Sequence, residues 1–273
     1  MEPSALFSLH GTVAVVTGGS GILGGAMAQG LLDAGASVVV LGTSRAKTEQ
    51  KAAALRGPEE RKAGYACDVT DQEQLKVVRS QILSRFGRID TLINAAGGNR
   101  PGATIQPQQN FFDLDISEFQ QVTSLNFLGT VVPTFIFAEP MAAAGKGSVI
   151  NISSVAAVRA LTRVAGYSGA KAAVENFTRW LAVEMALKFG EGIRVNAIAP
   201  GFFLTEQNRT LLQRPDGSPT DRMNEILRMT PFKRLGTPSD LAGTAVWLAA
   251  SASSFVTGIV VPVDGGFSAY SGV

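Results

Sequence analysis

The chain has 273 residues, of which 45% are hydrophobic and 17% are charged, and its formal net charge is +2. A chain of this length and composition buries a domain-sized core, which excludes an intrinsically disordered protein. The near-neutral charge and the absence of a basic run argue against nucleic acid or an anionic membrane surface as the main partner. One cysteine, Cys67, excludes an internal disulfide, and with a single histidine, His10, we expect no metal site.

The sequence carries no targeting or membrane signal that we recognise. Residues 1–4 lack the charged and apolar layout of a signal peptide, and no uninterrupted apolar run reaches the ~20 residues that cross a bilayer. We therefore expect a soluble, cytoplasmic protein without a membrane span.

Short runs rich in Val and Ile alternate along the chain with segments of helical periodicity. The predicted strands are 12–16, 37–41, 62–67, 89–93, 148–152, 193–198 and 259–263. The predicted helices are 22–34, 47–55, 72–86, 119–144, 166–189 and 239–250. The strands are apolar nearly throughout, which is typical of parallel strands buried on both faces. The alternation predicts one α/β domain over residues 1–273, a Rossmann-type, doubly wound, seven-stranded parallel sheet with helices on both faces.

The first predicted strand runs into a glycine-rich turn and then into a helix. Gly19, Gly21 and Gly24 have the G-x-G-x-x-G spacing of a dinucleotide-binding turn, in the strand–turn–helix context that the motif requires. Glycines let the backbone approach a pyrophosphate, and the helix N-terminus supplies free N–H groups and a positive dipole. The alternative is an ordinary strand-to-helix turn.

The end of the second predicted strand distinguishes the two nicotinamide dinucleotides. No acid lies in residues 40–45 to accept hydrogen bonds from a ribose 2′-hydroxyl or to repel a 2′-phosphate. Thr43 and Ser44 offer hydroxyls and Arg45 offers a partner for a phosphate, which favours NADP(H) over NAD(H). The alternative is that Arg45 is a solvated residue in the first turn of the next helix.

Three further residues suggest acid–base chemistry. Ser154 follows the fifth predicted strand, and Tyr167 and Lys171 are four residues apart on a helix and so share one face. Lowering a tyrosine pKa from about 10 to ~7 requires about 4 kcal/mol, which an ammonium ~4 Å away supplies at an effective dielectric near 20. Tyr167 is therefore predicted to protonate a substrate oxygen that Ser154 holds, with Lys171 lowering the tyrosine pKa. A Tyr-x-x-x-Lys pair alone is usually an ordinary helix surface, so this assignment depends on its surroundings.

Together these motifs resemble the short-chain dehydrogenase/reductase family over essentially the whole chain. They are, in the family's order, the glycine-rich turn, Asp68-Val69, Asn94-Ala95-Ala96-Gly97, Asn126, Ser154, Tyr167-x-x-x-Lys171 and Pro200-Gly201. The resemblance implies an NAD(P)-dependent oxidoreductase that transfers a hydride between a nicotinamide and a carbonyl or secondary alcohol. One position departs from the usual T-G-x-x-x-G-x-G pattern, because Ile22 stands where the middle glycine belongs. Either the turn shifts its register or Ile22 packs beneath the cofactor.

The resemblance also implies roles for individual residues. Asn126 would hold a water that links Lys171 to bulk solvent, and Lys171 would also bind the nicotinamide ribose. Pro200 and Gly201 would flank the nicotinamide, and Thr205 would bind its carboxamide or the pyrophosphate. Asp68 and Val69 would contact the adenine. The full set of implied cofactor contacts is Gly18, Ser20, Gly21, Ile22, Leu23, Thr43, Ser44, Arg45, Asp68, Val69, Asn94, Ala95, Ala96, Gly97, Tyr167, Lys171, Pro200, Gly201, Phe203 and Thr205.

A narrower resemblance concerns the substrate. Residues 18–28, 94–104 and 263–273 resemble the D-mannonate oxidoreductase, or fructuronate reductase, branch, which implies reduction of the ketone of a hexulosonate such as D-fructuronate. Two long, mostly polar segments, 98–113 and 202–233, follow strand ends, where ligands bind in open parallel sheets, so we expect them to form the substrate cavity. Nothing in the spacing singles out one of the candidates for an anionic substrate, which are Asn99, Arg100, Arg159, Arg163 and Arg209.

Two alternatives stay open. The first keeps the chemistry and changes the substrate to another ketose, a polyol or a ketoacyl compound. The second is a dinucleotide-sensing protein without turnover, although such proteins typically lack the tyrosine or the lysine.

The longest predicted helices suggest an assembly. Residues 119–144 and 166–189 carry more apolar residues than one core-facing stripe needs, and residues 135–138 cover most of a helix circumference. Because apolar surface of this kind usually meets another subunit, we expect a homotetramer, as is common in the family, or else a dimer.

Overall fold

The computed structural model describes residues 3–272. Residues 1, 2 and 273, which belong to the predicted N-terminal segment and to the C-terminal stretch 263–273, lie outside the described residues. The strands are β1 (Val13–Thr17), β2 (Ser37–Gly42), β3 (Lys62–Ala66), β4 (Thr91–Asn94), β5 (Gly147–Ile152), β6 (Ile193–Pro200) and β7 (Val260–Val263). The α-helices are α1 (Pro3–Leu6), α2 (Ile22–Asp33), α3 (Arg45–Ala54), α4 (Gln72–Phe86), α5 (Ile116–Ala144), α6 (Ala165–Phe189), α7 (Arg209–Leu212), α8 (Asp221–Met229) and α9 (Ala242–Ala249).

The strands form one seven-stranded sheet in the order β3-β2-β1-β4-β5-β6-β7, and every neighbouring pair is parallel. The order reverses between β1 and β4, so the ligand crevice of this topology opens there, outside the carboxyl ends of the strands. The register places Thr17 beside Asn94, and Asn94 beside Asn151. The predicted doubly wound Rossmann-type sheet is confirmed.

Helices cover both faces of the sheet because strand side chains alternate. On β1, Val13 and Val15 face a cluster with α4, α5 and α6, whereas Ala14 and Val16 face a cluster with α2, α3 and α9. Strands enclosed in this way read as continuous apolar runs. The two edge strands are the exceptions, since the last three residues of β3 and all of β7 are partly or fully exposed, and the expectation that these strands are buried on both faces was wrong.

Caps decide where the helices begin and end. Helix α5 starts three residues earlier than predicted, because the side chain of Asp115 accepts hydrogen bonds from the first-turn N–H groups, and it ends at Gly145 with a φ of 62°. Helix α9 starts later than predicted, because Pro238–Leu241 forms a 3₁₀ turn capped by Thr237 and Asp240. The segment 202–233 is not a loop throughout, since it contains α7 and α8.

Helix α5, with 29 residues, is the one helix within residues 3–272 that is long and apolar enough to cross a membrane. The expectation that no segment reaches this length was therefore wrong by length and composition. Its position in the fold accounts for its apolar character, because it packs along α6 and α4 and against β4 and β5, with 44% of its most apolar stretch buried. Core helices of globular proteins have the same length and composition.

A buried polar network joins the centre of the sheet to two helices. Asn94 Nδ2 donates to Thr134 Oγ1 at 2.8 Å and to Asn151 Oδ1 at 2.9 Å, and Asn151 Nδ2 donates to Thr178 Oγ1 at 2.9 Å. All four residues are buried. Buried amides are tolerated only when they are hydrogen-bonded, so this network holds β4, β5, α5 and α6 in one relative position.

We expect Thr178→Val to lower the free energy of unfolding by about 1–3 kcal/mol, because it leaves the buried amide of Asn151 without its acceptor. The matched control is Thr123→Val on α5, whose hydroxyl bonds the carbonyl of Phe119 in its own helix at 2.9 Å. Urea denaturation measures both variants. Equal losses in the two would contradict the role of the network.

Candidate active site

The glycine-rich turn after β1 is locked against the segment after β4. Thr17 Oγ1 accepts hydrogen bonds from the backbone N–H groups of Ala95 and Ala96, both at 3.1 Å. Gly18 has a φ of 62°, and a Cβ added there would lie 2.7 Å from the carbonyl oxygen of Ala95. Only glycine accommodates this contact, so the two segments form one floor at the switch point of the sheet.

The first turn of α2 presents unpaired backbone donors beside that floor. Gly21 is the N-cap and makes no side-chain cap, so Ile22 begins the helix and its N-terminal N–H groups have no side-chain acceptor. The positive end of a helix with free N–H groups fits a pyrophosphate. Gly21 supplies the N-cap, and the Ile22 side chain lines a groove between α2 and α3 with Ala26 and Lys51. Both accounts of the departure at Ile22 stay predictions.

The end of β2 lies against the glycine-rich turn. A Cβ added at Gly42 would lie 2.5 Å from Ser20 Oγ, so the serine hydroxyl sits over the strand end. Arg45 is the first residue of α3, and its Nε donates to Glu49 Oε1 at 2.8 Å while 83% of its side chain is exposed. In this structure Arg45 occupies the first-turn role that the sequence left as the alternative.

Ser154, Tyr167 and Lys171 come together at the carboxyl end of β5. Ser154 hydrogen-bonds Tyr167, and Lys171 Nζ lies 5.6 Å from the centroid of the Tyr167 ring. Lys171 is only 3% exposed, and its Nζ donates to the carbonyl oxygen of Ile152 at 2.7 Å. One strand end and one helix face therefore position all three side chains.

Burial has the largest effect on the pKa values of Lys171 and Tyr167. It lowers the pKa of the Lys171 ammonium from 10.5 to about 8. It also raises the pKa of the Tyr167 hydroxyl, which the hydrogen bond with Ser154 opposes. The expectation that the tyrosine pKa falls to ~7 was wrong for this structure, because desolvation of the phenolate raises it and outweighs the hydrogen bond with Ser154.

Asn126 is buried and hydrogen-bonds the chain after β4. Its Nδ2 donates to the carbonyl oxygens of Gly98 at 2.7 Å and Val122 at 2.8 Å, and its Oδ1 accepts from Gly98 N at 3.1 Å. Gly97 has a φ of 159°, and a Cβ added there would lie 2.6 Å from Asn126 Oδ1 and 3.4 Å from Lys171 Nζ. Asn126 thus lies close to Lys171, and its role in a water relay stays a prediction.

The sequence reasoning missed Glu175 and Gln207. Glu175 is buried one turn after Lys171, accepts from Ser153 Oγ at 3.0 Å, and pairs with Arg179 at 3.2 Å, so it ties α6 to the end of β5. Glu175 follows Lys171 by four residues, as Lys171 follows Tyr167, and this spacing was a signal that could have found it. Gln207 had no such signal, because only the fold brings it to Gly98, where an added Cβ would lie 2.5 Å from its Nε2.

Comparisons with known proteins decide the family. Residues 18–268 match a family model described as enoyl-(acyl carrier protein) reductase. The chain is 45% identical to an uncharacterised oxidoreductase, UxuB, of Bacillus subtilis, over 97% of this chain and 98% of that one. The chain belongs to the short-chain dehydrogenase/reductase family.

Solved structures agree over nearly the full length. A crystal structure of a candidate D-mannonate oxidoreductase from Haemophilus influenzae, with NAD bound, superposes with a TM-score of 0.90 at 42% identity and 99% coverage of both chains. A gluconate 5-dehydrogenase from Burkholderia cenocepacia, in complex with NADP and tartrate, superposes with a TM-score of 0.85 at 30% identity, covering 98% of this chain and 99% of that one. The chain is therefore an NAD(P)-dependent oxidoreductase of this family.

The remaining residues that the family pattern implies follow strand ends at the same edge of the sheet. Asp68 is exposed after β3 and accepts hydrogen bonds from both N and Oγ1 of Thr70, whereas Val69 is buried. Pro200 ends β6, and the N–H of Gly201 donates to Val263 O at 3.0 Å.

Phe203, Thr205 and Asn99 make contacts within the protein. Phe203 is buried in the core, and its ring lies 2.4 Å from the position of a Cβ added at Gly236, so its side chain is used in packing. The N–H of Thr205 donates to Asn208 Oδ1 at 2.8 Å. Asn99 Nδ2 donates to Thr104 Oγ1 at 2.9 Å, while its buried Oδ1 accepts no hydrogen bond from the described residues. Their contacts with a cofactor or substrate stay predictions.

We expect the free energy of unfolding of Lys171→Met, relative to that of the parent, to be higher at about pH 7 than at about pH 10. Because burial lowers the pKa of Lys171 from 10.5 to about 8, the unfolded chain binds a proton in that window that the folded chain does not. Parent stability therefore falls as the pH falls from 10.5 to about 8, by about 3 kcal/mol, and the loss is complete below that window.

Urea denaturation of parent and variant at both pH values measures the difference. Lys188→Met replaces an exposed lysine near the end of the same helix and is the matched control. A stability difference between Lys171→Met and parent that is the same at both pH values would show that burial of the ammonium carries no such penalty.

Proposed function

We propose that the protein reduces the ketone of a hexulosonate such as D-fructuronate to the corresponding hydroxy acid. The observation that carries this is the meeting of Ser154, Tyr167 and Lys171 at the strand edge that also bears the glycine-rich turn. The related proteins named for D-mannonate and gluconate, one of them binding tartrate, support a sugar acid as substrate. We further propose that segments 98–113 and 202–233 form the substrate cavity, supported by their contact between Gly98 and Gln207.

The raised pKa of Tyr167 suits the reductive direction. A neutral tyrosine retains the proton that the developing alkoxide needs, so Tyr167 acts as the general acid at neutral pH. Ser154 orients the substrate oxygen beside it, and the Lys171 ammonium stabilises the tyrosinate left after transfer. A bound nicotinamide dinucleotide supplies the hydride.

The residues around the turn fit that dinucleotide. The uncapped first turn of α2 and the bare Gly18 would hold the pyrophosphate, and Ser20 would meet the adenosine ribose. Asp68 and Val69 would flank the adenine, and Lys171 would bind the nicotinamide ribose. We propose NADP(H) as the preferred form, with Arg45 as the partner of the 2′-phosphate once it leaves Glu49.

We expect Tyr167→Phe to abolish turnover while cofactor affinity stays within a few-fold of the parent, because the variant loses the proton donor and keeps the ring. The assay follows the decrease in reduced-nicotinamide absorbance with D-fructuronate, and tryptophan-fluorescence titration measures cofactor affinity. Tyr65→Phe, on β3, is the matched control. Near-parental turnover by Tyr167→Phe would overturn the assignment, and a parent that binds both cofactors but reduces no hexulosonate would leave another ketose, a polyol or a ketoacyl compound as the substrate.

We expect Glu49→Gln to tighten NADPH binding relative to NADH, because it releases Arg45 from its ion pair. Arg45→Ala should weaken NADPH binding about 10- to 100-fold and leave NADH binding unchanged, as loss of a charged hydrogen bond predicts. Parallel NADH and NADPH titrations measure the ratio. Glu73→Gln breaks a comparable exposed pair with Lys76 on α4 and is the control; a ratio that no variant moves would contradict a role for Arg45.

We also propose that α5 and α6 form a subunit contact in a cytoplasmic homotetramer, or in a dimer. Phe135 is 67% exposed and Trp180 is 57% exposed, and both line an apolar groove of about 580 Å³ between the two helices. Phe137, by contrast, is buried in the core. Exposed aromatic surface of this extent is typical of an interface.

A further inference from the structure

Most arginines near the site are already used within the protein. Arg100 pairs with Glu118 at 3.0 Å, and Arg159 donates to backbone carbonyls of the C-terminal segment. Arg209 donates to the side chain one turn further along its helix at 3.5 Å. Three of the four arginines that the sequence nominated for an anionic substrate therefore have internal acceptors.

Arg163 and Arg222 differ from these. Within residues 3–272, neither guanidinium has a hydrogen-bond acceptor or an ion-pair partner. Asp221, the residue before Arg222, pairs instead with Arg214 at 3.3 Å. Arg222 lies half-buried in the first turn of α8.

An electrostatic interaction also links the two guanidinium groups. Burial is the main cause that lowers the pKa of Arg222, and the charge of Arg163 lowers it further. Glu225, one turn along α8, acts in the opposite direction without forming an ion pair with Arg222. A half-buried guanidinium that feels a second cation and forms no ion pair within residues 3–272 favours an anionic ligand.

The position of this pair connects it to the candidate active site. The carbonyl oxygen of Arg163 accepts from Ile105 N at 3.0 Å, which joins it to segment 98–113, and Arg222 belongs to segment 202–233. Arg163 lies four residues before Tyr167, immediately ahead of α6. The pair therefore lies where the two long segments meet at the end of α6 that carries the catalytic tyrosine.

The backbone at Arg163 is held in a conformation that side chains disfavour. Its φ is 77°, in the left-handed region that non-glycine residues rarely occupy. Such strain persists only where surrounding contacts maintain it, and it is concentrated at functional sites. Here it sets the direction in which the Arg163 side chain leaves the chain.

We propose that Arg163 and Arg222 together bind the carboxylate of the substrate while Ser154 and Tyr167 hold its ketone. A carboxylate accepts paired hydrogen bonds from the planar guanidinium fork, and its charge removes the repulsion between the two arginines. This assignment rests on the proposed reduction of a keto acid. It makes the pair the determinant that selects an acidic sugar over its uncharged analogue.

The test compares D-fructuronate with D-fructose, which carries a hydroxymethyl group in place of the carboxylate. We expect Arg163→Gln and Arg222→Gln each to raise the KM for D-fructuronate about 10- to 100-fold, because each loses a charged hydrogen bond. kcat should change less, and the rate with D-fructose should not change. Arg222→Lys keeps the charge but not the fork, so its KM should lie between those of the parent and Arg222→Gln.

Arg228→Gln is the matched control, since Arg228 is exposed on the same helix. Salt provides a second readout that a purely structural role would not move. The parent KM for D-fructuronate should rise with ionic strength, and the double variant Arg163→Gln/Arg222→Gln should lose that dependence. Circular dichroism and thermal unfolding establish that each variant is folded.

The outcomes separate this assignment from the proposed function. If the parent reduces D-fructuronate and the glutamine variants keep its KM, the arginine pair is overturned and the function stands. If the parent reduces D-fructose as efficiently as D-fructuronate, the arginine pair does not select the carboxylate and is overturned, while the proposed reduction of D-fructuronate stands. If the parent reduces neither, the function fails, and calorimetric titration with D-mannonate decides the pair: binding that is lost in the double variant supports it, and no binding or unchanged binding overturns it.

Discussion

The candidate site depends on a buried ammonium group. Within the described residues, the one hydrogen bond made by Lys171 Nζ goes to the carbonyl oxygen of Ile152. A buried cation is costly unless it is paired or hydrogen-bonded, and this cost lowers its pKa to about 8. The end of β5, the face of α6 and the bare Cα of Gly97 must all stay in place to keep that ammonium beneath Tyr167.

The parallel sheet meets this requirement through its polar centre. The register places Thr17, Asn94 and Asn151 side by side at the carboxyl edge. Thr17 holds the chain after β4, and the two asparagines join the strands to α5 and α6. The buried hydrogen bonds that stabilise the fold are thus the ones that hold the dinucleotide turn and the acid–base residues in one frame. In the proposed function, substrate selection falls to segments 98–113 and 202–233.

Much of the fold and of the site could be predicted because their signals are local. Buried parallel strands read as short apolar runs, and residues four apart share a helix face. The succession of strands and helices along the chain, the pairing of Tyr167 with Lys171, and the position of Ser154 after β5 therefore follow from spacing. Helix ends were predicted less well, because the Asp115 cap and the 3₁₀ turn at Pro238–Leu241 depend on side-chain geometry. Helices α7 and α8 were missed because they are short, with four and nine residues, and lie in a segment that was interpreted as a loop.

The sequence by itself therefore determined the class of fold, and it predicted a dinucleotide turn and a set of acid–base residues that the structure places at one edge of the sheet. Only the tertiary structure decided which charges are paired and which are buried. It placed Glu49 beside Arg45, buried the hydroxyl of Tyr167 so that its pKa rises, and let the charge of Arg163 act on Arg222 from a distant segment. The physical reason is that Coulomb interactions and desolvation depend on distances in space and on exclusion of water, neither of which is encoded in local spacing.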